Sequence, residues 1–285
     1  MNAETSLNPD TLNSENPYAK LSEEVGAFDR NKNFLNKWYG FNQVKLENID
    51  KEPIDIKGLK KTNIKDGLNT REWEKQFVDP YAFGIYASTA EIGDLVNQFA
   101  EDKDGIGIDK SINGTVKLFS ELYGLKNDIR IEPLPKTEET VDAWGLYRPG
   151  SNTLWFNFER ASSKHGDDAK ALASQMVSTI AHELWHAHQD DIVQEEQPTH
   201  TTTRGKFYEK NFRNYVSPKQ SAHGYSEQLI EAEARAMGDT VAAALKAFFR
   251  DEEAFTSDKA FCEQAKEQTL KALREHEAIL ASQNL

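Results

Sequence analysis

The sequence has a single cysteine, Cys262, in 285 residues. A lone thiol cannot close an intrachain disulfide, and it cannot build a cysteine-based zinc site. Positive charge is also in short supply: 34 Lys and Arg against 47 Asp and Glu leave a net charge of −13. Nonspecific nucleic-acid or anionic-membrane binding needs clustered Lys and Arg, so neither partner is expected. No apolar run approaches the ~20 residues that span a bilayer. Residues 1–16 are polar and lack the apolar stretch of a secretory leader. The expectation is a cytoplasmic protein, with its oligomeric state unknown.

What is present is unevenly distributed. Residues 1–75 hold 12 basic and 13 acidic residues, a balance of −1, so the remaining 210 residues carry −12. Residues 1–16 read as a disordered tail. The whole of 1–85 reads as an N-terminal tail and extended or lasso region, partly disordered. Its aromatics, among them Trp38, Trp73 and Phe77, read as docking anchors. Residues 86–285 read as one domain.

In that domain, Ser88–Glu101 has Ile92, Leu95, Val96 and Phe99 at helical spacing, with Ser88 and Glu91 set as a capping box. Lys110–Tyr123 reads as a second helix. The period then changes. Asp128–Leu134 alternates as a strand, and Val141–Tyr147 and Thr153–Phe158 flank the turn Arg148–Asn152 as a hairpin. A long helix is expected over Asp167–Gln189, then a polar insert from 192 to about 224. Two more helices follow, Ser226–Arg250 and Ser257–Ala281. Helices, three strands, then helices give an α+β layout.

The long helix carries His182-Glu183-Leu184-Trp185-His186, the HExxH pattern of zincins. Given 7 His and 28 Glu in the chain, chance would supply it about 0.017 times. Residues four apart on a helix differ by roughly 40° and ~6 Å, so both imidazoles can reach one metal ion. Glu183 flanks the same face, placed to take a proton from water activated by that metal. Leu172, Met176, Ile180, Leu184 and Ala187 form an apolar stripe roughly 80–200° round the wheel from His182, which turns the histidines away from the packing face.

A catalytic zinc usually takes a third protein ligand. The metzincin continuation needs Gly and His where this chain has Gln189 and Ile192. A deformylase-like site needs an upstream cysteine, and Cys262 lies far downstream. A glutamate from a later helix remains. On the segment Tyr225–Asp239, Glu227 and Glu231 share one flank of an apolar stripe (Ile230, Ala234, Met237, Val241, Leu245, Phe248) and Glu233 lies on the other. The small residues Ala234 and Gly238 would let this helix approach the motif helix closely.

With His182-Glu183-x-x-His186 followed by Glu231-Ala-Glu-Ala-Arg-Ala-Met-Gly, the chain resembles the gluzincin metallopeptidases, the thermolysin-like clan. The resemblance covers about 12 residues around each motif and the order of elements. It implies a zincin-like α+β fold, with a small antiparallel or mixed sheet packed on the HExxH helix and further helices after it. It implies a Zn²⁺ cofactor, Glu231 as third ligand and a peptide or protein substrate lying extended on an edge strand near Thr153–Asn157. His223 or Tyr225 would stabilise the transition state. Arg235 departs from the family, which often has Asp there to orient a ligand histidine. Another acid or a backbone carbonyl must serve that role. His188 is expected to face packing or solvent, and His200 lies in the insert. Trp155 and Trp185 read as packing before subsite, and Asp190-Asp191 as the end of the helix. Two other functions fit the same residues: a zincin-like binding or regulatory module without peptidase activity, and a hydrolase of a non-peptide amide.

Overall fold

The computed structural model describes residues 77–101, 106–135, 140, 143–157, 159–160, 163, 168–195, 203–226, 228–256 and 259–282. The readings made on residues 1–76, His200 and Glu227 lie outside them. Helices α1 (Asp79–Ala87), α2 (Thr89–Glu101) and α3 (Ile106–Tyr123) come first. Strands β1 (Arg130–Pro133), β2 (Gly145–Tyr147) and β3 (Thr153–Phe156) follow. Then come α4 (Ala169–Glu195), α5 (Thr203–Arg213), α6 (Ala222–Ser226), α7 (Leu229–Arg250), α8 (Glu252–Thr256) and α9 (Lys259–Ser282). The architecture is mostly helical with one small mixed sheet, an α+β arrangement.

The 3.6-residue period works as expected in α2, where Ile92, Leu95, Val96 and Phe99 are all buried. The capping box does not form. Ser88 closes α1 instead, its N–H donating to the carbonyls of Gly84 and Ile85, and its hydroxyl has no hydrogen-bond partner. Its backbone (φ −97°, ψ 11°) lacks the extended conformation that an N-cap needs. The packed unit also starts before residue 86. Phe77, Tyr81 and Ile85 are fully buried, so α1 belongs to the core.

The sheet order is β1-β3-β2, with β1 parallel and β2 antiparallel to β3. The hairpin forms as expected, with Gly150 at φ 75° and Asn152 at φ 48° in its turn, the left-handed region where glycine carries no Cβ penalty. Leu154, Phe156 and Tyr147 are buried on the face toward α4. Trp155 is half-buried on the opposite face with the Arg148 guanidinium 5.7 Å from its ring centre.

Helix α4 runs six residues past its expected end at Gln189, so Asp190 and Asp191 are not terminal. They are tertiary acceptors. Asp190 Oδ2 takes the Tyr147 hydroxyl at 3.0 Å and the Gly150 N–H at 2.5 Å, which ties the hairpin to the helix. Asp191 Oδ2 takes the Lys126 N–H at 3.1 Å. The polar insert is not irregular throughout, because α5 occupies part of it and buries Tyr208 with Phe77, Ile192 and Leu229. The α7 stripe lies buried as spaced, from Ile230 to Phe248. No helix among the described residues is long and apolar enough to cross a membrane.

Gly93 is where α2 meets α7. A Cβ added there would sit 2.5 Å from ring carbons of the fully buried Phe248. Gly93→Ala should therefore destabilise the fold by about 1–3 kcal/mol through overpacking. The measurement is a lower urea midpoint at unchanged slope; an unchanged midpoint would mean that Phe248 has room to move.

Behind the motif helix, Arg204 grips Glu277 with two hydrogen bonds of 3.1 and 2.7 Å, and the Tyr81 hydroxyl donates to the same carboxylate. His188 packs against Tyr81, Trp185 and Tyr123. Burial pushes the Glu277 carboxyl up, but Arg204 overrides it and holds it down at about 2. Burial, reinforced by Arg204, lowers His188 to about 4. Both groups take up a proton more readily in the unfolded chain. Their stabilisation is complete above about pH 6.5, the ordinary histidine value. It declines first as pH falls toward the about 4 of His188, then toward the about 2 of Glu277. Urea midpoints measured from pH 8 to pH 2.5 should fall in that order, and Arg204→Met should blunt the lower step. A midpoint flat from pH 7 to pH 3 would contradict this.

Candidate metal centre

The site is built where α7 crosses α4. Gly238 permits the approach: a Cβ there would lie 3.2 Å from the Ser178 carbonyl oxygen and 3.6 Å from the His182 Cβ. The contact brings the Ala234 backbone beside the His182 ring. One turn earlier on α7, Glu231 faces both histidines. Its Oε2 lies 3.7 Å from His182 Nε2 and its Oε1 lies 3.6 Å from His186 Nε2. One ligand-type atom from each of the three residues falls within 4.8 Å of the others. Those separations are too long for hydrogen bonds, and Glu231 Oε2 is buried without any hydrogen-bond partner. Burial, then the neighbouring His186 and Arg235, hold the His182 imidazole well below the usual histidine range, so it is neutral at pH 7.

The expectation that the histidines turn away from packing is corrected, because α7 packs on the face that carries them. Helix α4 is buried on both sides, because α7 covers the face that the sequence leaves open. His186 is buried and His182 half-buried.

Glu183 points toward the sheet, and its Oε2 accepts the Tyr147 N–H at 2.9 Å. Burial pushes its carboxyl up to about 7, with Glu231 adding to the rise and His186 and the Tyr147 amide opposing it. The backbone of β2 lies directly on this side chain. A Cβ at Gly145 would come 2.9 Å from Glu183 Cγ and 2.9 Å from Thr179 Cγ2. The expected edge strand is corrected here. Thr153–Phe156 is the central strand, paired on both sides, so its backbone is not open to an added strand. The strand beside Glu183 is β2, an edge.

Tyrosines line the approach to Glu231. The Tyr215 hydroxyl donates to Glu231 Oε1 at 2.9 Å, and its ring lies edge-on to Tyr225, 6.2 Å between centres. Burial and then the Glu231 charge push both phenols up, so both remain protonated donors at neutral pH. His223, the other candidate donor, is exposed on α6. Arg235, one turn after Glu231, lies close enough to His182 and Tyr225 to disfavour positive charge on the first and favour ionisation of the second.

Glu233 is not a surface charge. It is buried, facing the opposite side of α7 from Glu231, and its Oε2 accepts from Trp185 Nε1, Gln189 Nε2 and the Tyr208 hydroxyl at 3.1, 2.8 and 2.9 Å. Trp185 is accordingly buried and no part of a surface subsite. Sequence reasoning missed Gly145, Tyr215 and Gln189 as residues of the site. An isolated glycine inside a strand pattern signals a close backbone approach, so Gly145 had a usable signal. Tyr215 and Gln189 had none.

No protein-family model, curated protein or solved structure matches this chain. The chemistry of the site rests on its own residues. Gly145→Ala should push the Glu183 carboxylate off the Tyr147 amide while sparing the histidines. Hydrogen exchange at the Tyr147 N–H should quicken, with the His182 and His186 ring resonances unchanged. An amide as slow as in the wild type would mean that β2 absorbs the methyl without moving Glu183.

Proposed function

We propose that this chain is a zinc-dependent hydrolase, most specifically a gluzincin-like metallopeptidase in which His182, His186 and Glu231 hold the ion. The observation that carries this is the buried, unpartnered Oε2 of Glu231 facing two imidazole nitrogens at distances too long for hydrogen bonds. An orphaned buried carboxylate oxygen beside a neutral His182 is costly, and a divalent cation among these atoms removes the cost. Two imidazoles and one carboxylate suit zinc. Among the described residues no fourth His, Cys, Asp or Glu joins the cluster, and three protein ligands is the number of a catalytic site.

A bound zinc ion would supply Lewis acidity, polarising a carbonyl and acidifying water. Glu183 is the general base and proton carrier. Its carboxylate takes a proton from water and returns it to the leaving amine. Its hydrogen bond from the Tyr147 N–H fixes the oxygen that is not used for proton transfer. Tyr225 supplies a hydroxyl donor for the oxygen on which negative charge develops, while the Tyr215 hydroxyl is given to Glu231 Oε1 and fixes that carboxylate. The resemblance of the two motifs to gluzincins makes a peptide or protein the substrate class, lying near β2 beside Glu183, and the compartment that fits the sequence is the cytoplasm.

Metal analysis with Glu183→Gln tests the reading. Wild type should retain about one zinc per chain, and Glu231→Ala or His186→Ala should lose most of it. Glu183→Gln should keep the zinc and lose ~10²-fold or more of the cleavage of a peptide library. A protein that holds no zinc refutes the site. A zinc-loaded wild type that cleaves nothing spared by Glu183→Gln refutes the peptidase and leaves a binding module.

A further inference from the structure

We infer that Gln189 is a positioning residue that fixes which ring nitrogen of His186 carries the proton, and so presents Nε2 as a bare ligand atom. The inference rests on the proposed metal site. Gln189 lies one turn after His186 on α4, buried beneath α7, and its Oε1 is 2.9 Å from His186 Nδ1. An amide side chain can present either its oxygen or its nitrogen, so this contact alone leaves the tautomer open. The other end of the amide decides it. Gln189 Nε2 lies 3.2 Å from the Ile230 carbonyl oxygen and 2.8 Å from Glu233 Oε2.

A backbone carbonyl can only accept. Turning the amide round would set its oxygen against that carbonyl and against a carboxylate oxygen that already takes the Trp185 N–H and the Tyr208 hydroxyl. The –NH₂ group must therefore face α7, and Oε1 must face His186. An amide oxygen also only accepts, so His186 Nδ1 carries the hydrogen. The proton of a neutral imidazole is then spent at Nδ1, and the lone pair is at Nε2, the nitrogen facing Glu231.

The chain of contacts runs from Ile230 and Glu233 on α7, through Gln189, to His186 on α4. It joins the two helices that carry the proposed ligands and does so through buried groups only. A neutral amide here takes the place of the carboxylate that often backs a ligand histidine. Glu233 serves at one remove, by orienting the amide rather than by touching the ring.

Two readouts test this. In metal-free protein labelled with ¹⁵N-histidine, long-range ¹H–¹⁵N spectra at pH 8 should show His186 as the Nδ1–H tautomer, assigned by its absence in His186→Asn. An Nε2–H tautomer there would overturn the inference, and this measurement needs no variant at Gln189 to fold. Gln189→Met removes both hydrogen-bonding ends at similar volume. It should return a mixture of tautomers and weaken zinc binding ~10–100-fold in a chelator competition, with the helical circular dichroism unchanged. Zinc affinity within twofold of wild type and an unchanged tautomer would refute it while leaving the metal site standing. Loss of zinc binding by the wild type itself would refute the metal site, and the tautomer measurement would still decide the role of Gln189.

Discussion

The close crossing of α4 and α7 is the constraint on which everything else depends. Two helices approach this nearly only if small residues sit at the contact. Gly238 against the Ser178 carbonyl and the buried Ala234 meet that need. The approach aligns polar groups that would otherwise be stranded. The Gln189 amide finds the Ile230 carbonyl, and the Trp185 indole finds Glu233. Each is a buried hydrogen bond between helices, and breaking one leaves a buried polar group unsatisfied. The geometry around Glu231 follows from packing as much as from the side chains that frame it.

The sheet is small, and its position is fixed by polar clamps as well as by its apolar face. Three short strands bury little area, and an edge strand of three residues has few ladder hydrogen bonds to hold it. Asp190 compensates by binding both the Tyr147 hydroxyl and the Gly150 amide, so the hairpin is fastened to the same helix that carries His182, Glu183 and His186. The fastening brings Gly145 onto Glu183, where only a residue without Cβ fits. The same registration hands the Tyr147 N–H to the Glu183 carboxylate. Aspartates near a helix end oppose its dipole. Here the helix continues beyond them, and their tertiary partners account for them.

Much of the fold was legible because its signals are local. The apolar spacing in α2, α4 and α7, the alternation in β1 and the Pro-Gly turn between β2 and β3 each depend on residues within a few positions of one another. The misreadings fall where a neighbour in space decides. Ser88 looked like a cap, but α1 runs into α2 and leaves it no extended backbone. The polar insert after 192 shows no helix in its composition because α5 is polar over most of its length and anchors through Tyr208 and its neighbours. Strand order is not encoded in strand pattern, so nothing local marks Thr153–Phe156 as the central strand; β1 returns parallel beside it and closes that edge.

The sequence by itself determined that His182, Glu183 and His186 share one side of one helix, since helical geometry fixes the directions of side chains three and four apart whatever surrounds them. It also determined that Cys262, the single cysteine of these 285 residues, can close no disulfide among them. The tertiary structure alone decided between two glutamates only two positions apart. Glu231 faces the histidines and Tyr215, whereas Glu233 faces Trp185, Tyr208 and Gln189. Two residues along a helix is about 200° of rotation. Which side meets α4 is set by the angle and depth of the crossing, and that is a property of the packed pair of helices, written in no single segment of the chain.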